Sequence, residues 1–276
     1  SISFGIILFY GVAAYEHSGQ KRYIALASFA AGLAVLARKN TWIVLVAVAV
    51  YVLLVSLRKK KVRYLMAGTA ILLTAALSVK AVDVIYEVRS GYPSGVGIPS
   101  ILWVAMGLQE TEGRAGVYNR YQQATFTDYD CQQELAAQQG KEYIRERLEE
   151  FSQDPGMAFN FFKNKVEGQW IEPMYAALES TESFEEGAEL SPVLESLYYG
   201  ELGRTIWKLT NYYQSILYLA GRMALVMLGI LWWKKKEVPI SLWLPWIAVF
   251  GGFLFSILWE AKSRYVFPYC VFMILY

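Results

Sequence analysis

Trp259-Glu260-Ala-Lys262-Ser-Arg264-Tyr265 gathers two cations, a carboxylate and two aromatic rings at the end of an apolar run. A guanidinium presents a planar fork that matches phosphate oxygens, an ammonium adds a compact charge, and a neighbouring carboxylate can orient either. Binding of a phosphate-bearing ligand is the chemistry this grouping supports. Interfacial anchoring uses the same residue types, but here the cations lie opposite the densest basic links. Arg38 and Lys39 make a second basic tip of the same kind. Between these clusters, Arg114-Ala-Gly-Val-Tyr118-Asn119 and Gln169-Trp170-Ile-Glu172-Pro173-Met-Tyr175 combine aromatic faces with amide, guanidinium and carboxylate groups. Arg114, Tyr118, Trp170 and Glu172 are therefore candidate contacts for a sugar-like substrate, with a membrane aromatic belt as the competing reading.

Other chemistries find little to work with. The chain has 1 His and 2 Cys, too few for a His-based zinc or iron site or for a disulfide framework, so no metal and no cofactor is expected. His17 stands in a polar link, Cys131 in a hydrophilic region and Cys270 in an apolar run. Three more charges stand within apolar runs: Lys80 and Asp83, spaced to pair on one helix face, and Arg222, expected to answer a partner on another helix. The stretch Ser90-Gly-Tyr-Pro-Ser-Gly-Val-Gly-Ile-Pro99 follows an apolar helix, not a strand, and lacks the Lys-Ser/Thr ending of a phosphate loop, so it reads as a turn.

The elements that must hold these residues are mostly apolar. The 276 residues are 55% hydrophobic and 16% aromatic, with a mean hydropathy of +0.29, too much apolar surface for one soluble core. Seven apolar segments are visible: Ile2–Tyr15, Tyr23–Ala37, Thr41–Leu57, Tyr64–Ile85, Tyr212–Trp233, Val238–Trp259 and Tyr265–Tyr276. The second and third are short against the ~20 residues a spanning helix needs. The chain opens and closes inside apolar runs, which reads as an internal fragment of a larger protein.

Dense basic links, Arg58-Lys59-Lys60-Lys61-Val62-Arg63 and Lys234-Lys235-Lys236, are expected on the cytoplasmic side. Alternation then puts Glu16–Arg22 inside as well, and Arg38–Asn40, the insertion of about 120 residues and Glu260–Arg264 outside. Residues 87–204 carry nine Lys/Arg against twenty Asp/Glu, net −11, while the rest of the chain is net +13. The overall +2 hides this segregation and gives no support to nucleic-acid binding.

Segments 1–86 and 206–276 are thus expected to be transmembrane groups around an extracytoplasmic helical domain at 87–205. In that domain Ser100–Gln109 is apolar but too short to span, and is expected as an interfacial or re-entrant helix. Asp130–Ser152 has helical spacing, Asp154-Pro155 offers an N-cap with Pro at N1 for the next helix, and Glu179–Glu189 reads as a loop. No strand alternation is evident.

The element Glu260-Ala-Lys-Ser-Arg264-Tyr265-Val-Phe-Pro268 resembles the E-x-x-x-R-Y-x-x-P segment of bacterial family 39-type glycosyltransferases, members of the GT-C class with the protein O-mannosyltransferases and the lipid A aminoarabinose transferases. Gly97–Leu108, Gly116-Val-Tyr-Asn119 and Gln169–Pro173 are similar to outer-loop segments of a bacterial branch, and Gly32-Leu-Ala34 through Asn40 resembles its turn after an early span. The resemblance implies an all-α, multi-span GT-C-like bundle in the plasma membrane. It also implies inverting transfer of a sugar from a polyprenyl-phosphate donor to an extracytoplasmic glycan, lipid or protein. Arg264 and Tyr265 match positions expected at the donor phosphate, with Lys262, Glu260, Arg38 and Lys39 as companions. The family's acidic catalytic residue belongs to a first outer loop that has no counterpart here, so the base is expected upstream of Ser1 and the piece alone inactive. A transporter subunit, or a non-catalytic membrane protein with an outer sensor or assembly domain, is the alternative from another class.

Overall fold

The computed structural model describes residues 2–95, 97–178, 190–234 and 238–274. The expected loop Glu179–Glu189, and Lys235 and Lys236 of the second basic link, lie outside the described residues. In chain order the elements are α1 (Ile2–Ser18), α2 (Lys21–Ala37), α3 (Trp42–Lys59), α4 (Arg63–Ser90), α5 (Ser100–Gly107), β1 (Glu110–Thr111), β2 (Arg114–Ala115), α6 (Tyr121–Asp128), α7 (Gln133–Gln153), α8 (Pro155–Trp170), α9 (Pro192–Tyr198), α10 (Glu201–Trp233), α11 (Leu244–Leu258) and α12 (Phe267–Met273). Short 3-10 turns precede α3, α11 and α12. Apart from one small hairpin the described residues are all-α.

Four helical stretches are long and apolar enough to cross a membrane: Lys39–Lys59, Arg63–Ser90, Glu201–Trp233 and Ile240–Leu258. The chain therefore reads as a membrane protein. Helices α1 and α2 have 17 residues each, below the ~20 of a typical span. The third apolar segment gains length because the 3-10 turn at Lys39–Thr41 continues into α3.

Packing divides the chain into two compact units, one from residues 1–96, 223–253 and 268–276, the other from 97–222 and 254–267. The sequence segmentation followed position along the chain. The units follow contact, so the second unit draws in the 259–265 cluster from the end of the sixth apolar segment.

In the first unit α2 presents a stripe of small residues, Ala27, Ala30, Ala31 and Ala34, all buried. Small side chains let helix backbones approach closely, which substitutes for the hydrophobic driving force that lipid cannot supply. The links at 16–22 and 58–63 meet at one end of this unit. The Lys59 ammonium lies 3.0 Å from the Glu16 carboxylate, the Tyr51 hydroxyl donates to the same carboxylate, and Arg58 donates to the Val238 carbonyl at 2.8 Å. Helix α2 then carries the chain ~25 Å along its axis to the turn at Arg38. There the Arg38 amide and the Thr41 hydroxyl both donate to the Ala34 carbonyl, each at 3.0 Å.

Two expectations for charges in apolar runs are corrected. No ion pair joins Lys80 to Asp83 among the described residues; Lys80 is exposed and Asp83 half-buried. Arg222 is exposed, with no ion pair or hydrogen bond among the described residues. The buried face of α10 here is that of Gln214, Leu217 and Gly221, with Tyr218 donating to the Trp170 carbonyl at 2.6 Å. Arg222 points about 100° away from Gly221.

In the second unit α5 buries one face in the core: Leu102, Ala105 and Met106 are wholly buried against α6 and α7, while Ile101, Trp103 and Val104 are half-buried. Helices α7 and α8 form as expected, the Asp154 carboxylate accepting from the Met157 amide at 2.9 Å with Pro155 at the first helical position. Leu108, Ala115, Phe151 and Phe161 form the hydrophobic cluster between them. The hairpin β1–β2 was not expected. Glu112 and Gly113, with φ of 51° and 72°, supply the two left-handed residues of a tight two-residue turn.

A methyl group on Gly252 would lie 2.2 Å from Cζ of Tyr269. Gly252→Ala is expected to lower stability by ~1–3 kcal/mol through overpacking. Gly229→Ala, which meets nothing within 4 Å, should leave it unchanged or slightly raised; thermal unfolding in detergent micelles distinguishes the two.

Candidate functional site

Hairpin turn chemistry and two close backbone contacts build the site in the second unit. The β1–β2 ladder ends in Ala115, and the Gly116 amide donates to the Gln109 carbonyl at 2.6 Å. Gly116 has φ of 71°, so the chain turns sharply and presents its carbonyl to the Ala261 amide at 2.7 Å. That bond brings the 259–265 cluster against the hairpin. The result is a cleft of about 530 Å³ with Arg114 and Tyr118 on one side, Glu167 of α8 and then Glu172 on another, and Glu260 and Lys262 on a third.

Five of the residues singled out by sequence thus share one cleft: Arg114, Tyr118, Glu172, Glu260 and Lys262. Glu260 is only 4% exposed. One of its oxygens accepts from the Tyr265 hydroxyl at 3.0 Å, and the other has no partner among the described residues. The expected orientation of a cation by Glu260 is corrected: no ion pair joins it to Arg264 or Lys262 among the described residues, and its carboxylate aligns a phenol instead. The Arg264 guanidinium is exposed, 5.4 Å from the Tyr265 ring centroid. Burial is the main cause that pushes the Tyr265 phenol above its usual value, so it stays a proton donor to Glu260.

Glu172 does structural work at the rim. Its carboxylate accepts from the Met174 amide at 2.8 Å, the Ala176 amide at 2.6 Å and the Ser263 hydroxyl at 2.7 Å. These bonds hold Tyr175 and Ala176 at φ of 53° and 56°, a left-handed pair without glycine. With both oxygens occupied, Glu172 is a poor candidate for taking a substrate proton.

Trp170 is corrected from a substrate contact to a structural one. It is 8% exposed, and its indole N–H donates to the Ser256 hydroxyl at 3.1 Å. A run of rings does reach the cleft from α5 and the end of α11: Tyr118 lies 6.3 Å from Trp103, which stacks on Trp259 at 6.1 Å, which stacks on Phe255 at 5.1 Å. Arg38 and Lys39 belong to the first unit, where they form the turn between α2 and α3.

Lys165 was missed. It is 1% exposed, and its ammonium nitrogen donates to the Gly107 carbonyl at the end of α5. A methyl on Gly116 would meet Cε of Lys165 at 2.7 Å, and one on Gly107 would meet the Leu258 carbonyl at 2.5 Å. Desolvation by burial pulls Lys165 down to about 7. The available signal was the spacing Phe161, Lys165, Gln169, three residues four apart that all face the interior.

Among the described residues no group of three His, Cys, Asp or Glu side chains is arranged to hold a metal ion. Comparison of the chain with protein-family profiles, curated proteins and solved structures gave no match.

Removing the Glu172 carboxylate strips three donors of their acceptor and frees the left-handed pair. Glu172→Ala is expected to destabilise the protein by ~2–4 kcal/mol, towards or below the low end of ~1–3 kcal/mol for each of three unpaired donors because water can reach this part-buried rim. Chemical unfolding should show the loss; an unchanged midpoint would mean the rim is not held by this residue.

Proposed function

We propose that the protein is a membrane glycosyltransferase of the GT-C type, moving a sugar from a polyprenyl-phosphate donor to an acceptor outside the cytoplasm. The supporting observation is that Glu260 to Ser263, the first four residues of the segment resembling the family's E-x-x-x-R-Y, meet the Arg114–Tyr118 segment and Glu172 in one cleft, while Arg264 and Tyr265 lie outside its lining. In this reading the donor's phosphate takes Lys262 and Arg114 as counter-charges, and Arg264 stands exposed beside Tyr265 to meet the lipid headgroup. Glu260 uses its spare oxygen to accept a sugar hydroxyl while Tyr265 fixes the other. Tyr118 and Trp103 give the sugar ring an apolar face.

Inverting transfer needs a carboxylate that removes the acceptor's proton as the anomeric carbon–oxygen bond to phosphate breaks. In this proposal Glu260, with one oxygen held by Tyr265, serves as an orienting group and not as that base. The end of the first unit holding Arg58, Lys59 and Arg63 is the cytoplasmic end in this proposal, following the positive-inside trend. Acidic residues 87–204 then face outward, where no anionic leaflet attracts cations.

Transfer of radiolabelled sugar from a polyprenyl-phosphate donor, measured in membranes carrying the protein, tests the reading. Lys262→Ala and Glu260→Gln are each expected to reduce transfer ~10–100-fold, a loss of ~1.4–2.7 kcal/mol of transition-state stabilisation, with unfolding midpoints near wild type. Full activity in both folded variants would remove this cleft from the reaction.

A further inference from the structure

Lys165 lies behind the cleft, outside the residues that touch its space, yet it meets the pieces that make the cleft's walls. Its ammonium nitrogen donates to the Gly107 carbonyl, and its terminal carbon fills the space that a side chain on Gly116 would need. Gly116 in turn accepts from the Ala261 amide, and Gly107 rests directly on the backbone of Leu258 and Trp259. Four segments are therefore locked through one buried amine: α8, the end of α5, the residue after β2, and 258–261.

We infer that Lys165 is the positioning residue of the cleft, and that its protonation state sets how tightly the Gly116–Ala261 wall is held. An amine has two N–H donors and an ammonium three, while the only acceptor here among the described residues is the Gly107 carbonyl. Protonation adds a charge with nothing to compensate it. The charged groups on the surrounding elements are Lys163 and Glu167 on α8, Glu110, Glu112 and Arg114 on the hairpin, half-buried Glu142 and Arg147 on α7 with Glu134, Lys141, Arg145, Glu146, Glu149 and Glu150 exposed on the same helix, and Glu260, Lys262 and exposed Arg264 beyond α11. Helix α5 has none, and among the described residues none of the others forms an ion pair with Lys165. Arg147 donates to the Leu108 carbonyl at 3.1 Å, next to the one Lys165 uses, so a second cation already stands near.

The sign follows from burial. Lys165 in the closed wall is pulled down to about 7, while an opened wall returns it towards the ordinary lysine value of about 10.5. Between those values opening takes up a proton, so the closed form is favoured as pH rises; below about 7 both forms are charged and the dependence levels off.

Amide hydrogen exchange of the full chain in detergent micelles, at pH 6–9 and corrected for intrinsic rates, tests this without any turnover, so it stands or falls apart from the sugar-transfer reading. Protection of the Gly116 and Ala261 amides should be flat to about pH 7 and then rise about tenfold per pH unit in the wild type. It should be level throughout in Lys165→Met. Gly116→Ala, which displaces the amine without removing it, should also lose the slope. An equal slope in Lys165→Met, or a slope shared by every amide of the second unit, would overturn the inference.

Discussion

The absence of two side chains, at Gly107 and Gly116, is the constraint on which the second unit depends. At the first, a methyl group would stand 2.5 Å from the Leu258 carbonyl; at the second, 2.8 Å from the Gly107 carbonyl. Backbone can therefore meet backbone, and the Ala261 amide can reach Gly116. Without that approach the 259–265 cluster would have no reason to lie against the hairpin, and Glu260 and Lys262 would not face Arg114. Interiors are close-packed, so such contacts are all-or-none. The void they leave fits a lysine stem, and burying it there moves the titration of Lys165 towards neutrality.

A different rule governs the first unit. Its helices carry few charges along their lengths and concentrate them at the links, where Glu16 gathers Lys59 and Tyr51. Lipid offers no hydrogen bonds, so apolar helices with charged ends are the form of chain a bilayer tolerates. The stripe of alanines on α2 does for these helices what the two glycines do in the second unit, letting backbones come near without a gap.

Long periodic elements were legible in the sequence because many residues repeat the same signal. Helices α3, α4, α7 and α8 begin and end within a few residues of the expected places, and Asp154-Pro155 marks a cap that the structure forms. Short or context-set features were not legible. The hairpin strands have two residues each, too few for alternation to register. The apolar run of α5 has the same composition whether it lies on a membrane or in a core, so its packing against α7 could not be read from it. Lys165 sits in Phe-Phe-Lys-Asn-Lys-Val-Glu-Gly, which reads as a solvated helix face unless the four-residue spacing to Phe161 and Gln169 is followed. At the site, sequence grouped Lys262 and Arg264 as one phosphate clamp. The 3-10 turn at Ser263–Tyr265 separates them, leaving Lys262 on the cleft and Arg264 exposed.

Charge in the cleft also narrows what it can hold. Arg114 and Lys262 face Glu167, Glu172 and Glu260, a mixture suited to a ligand that brings hydroxyls as well as an anion. A polyprenyl-phosphate sugar has that combination, and the rings from Phe255 to Tyr118 offer apolar surface beside it. The direct measurement is photo-crosslinking with a photoactivatable polyprenyl phosphate added to the extracytoplasmic face of sealed membranes carrying the protein. Adducts on peptides spanning 113–118 and 259–265, competed by unlabelled polyprenyl phosphate, are the predicted result. Adducts confined to the basic links at 58–63, or none above an unrelated membrane protein, would contradict the account.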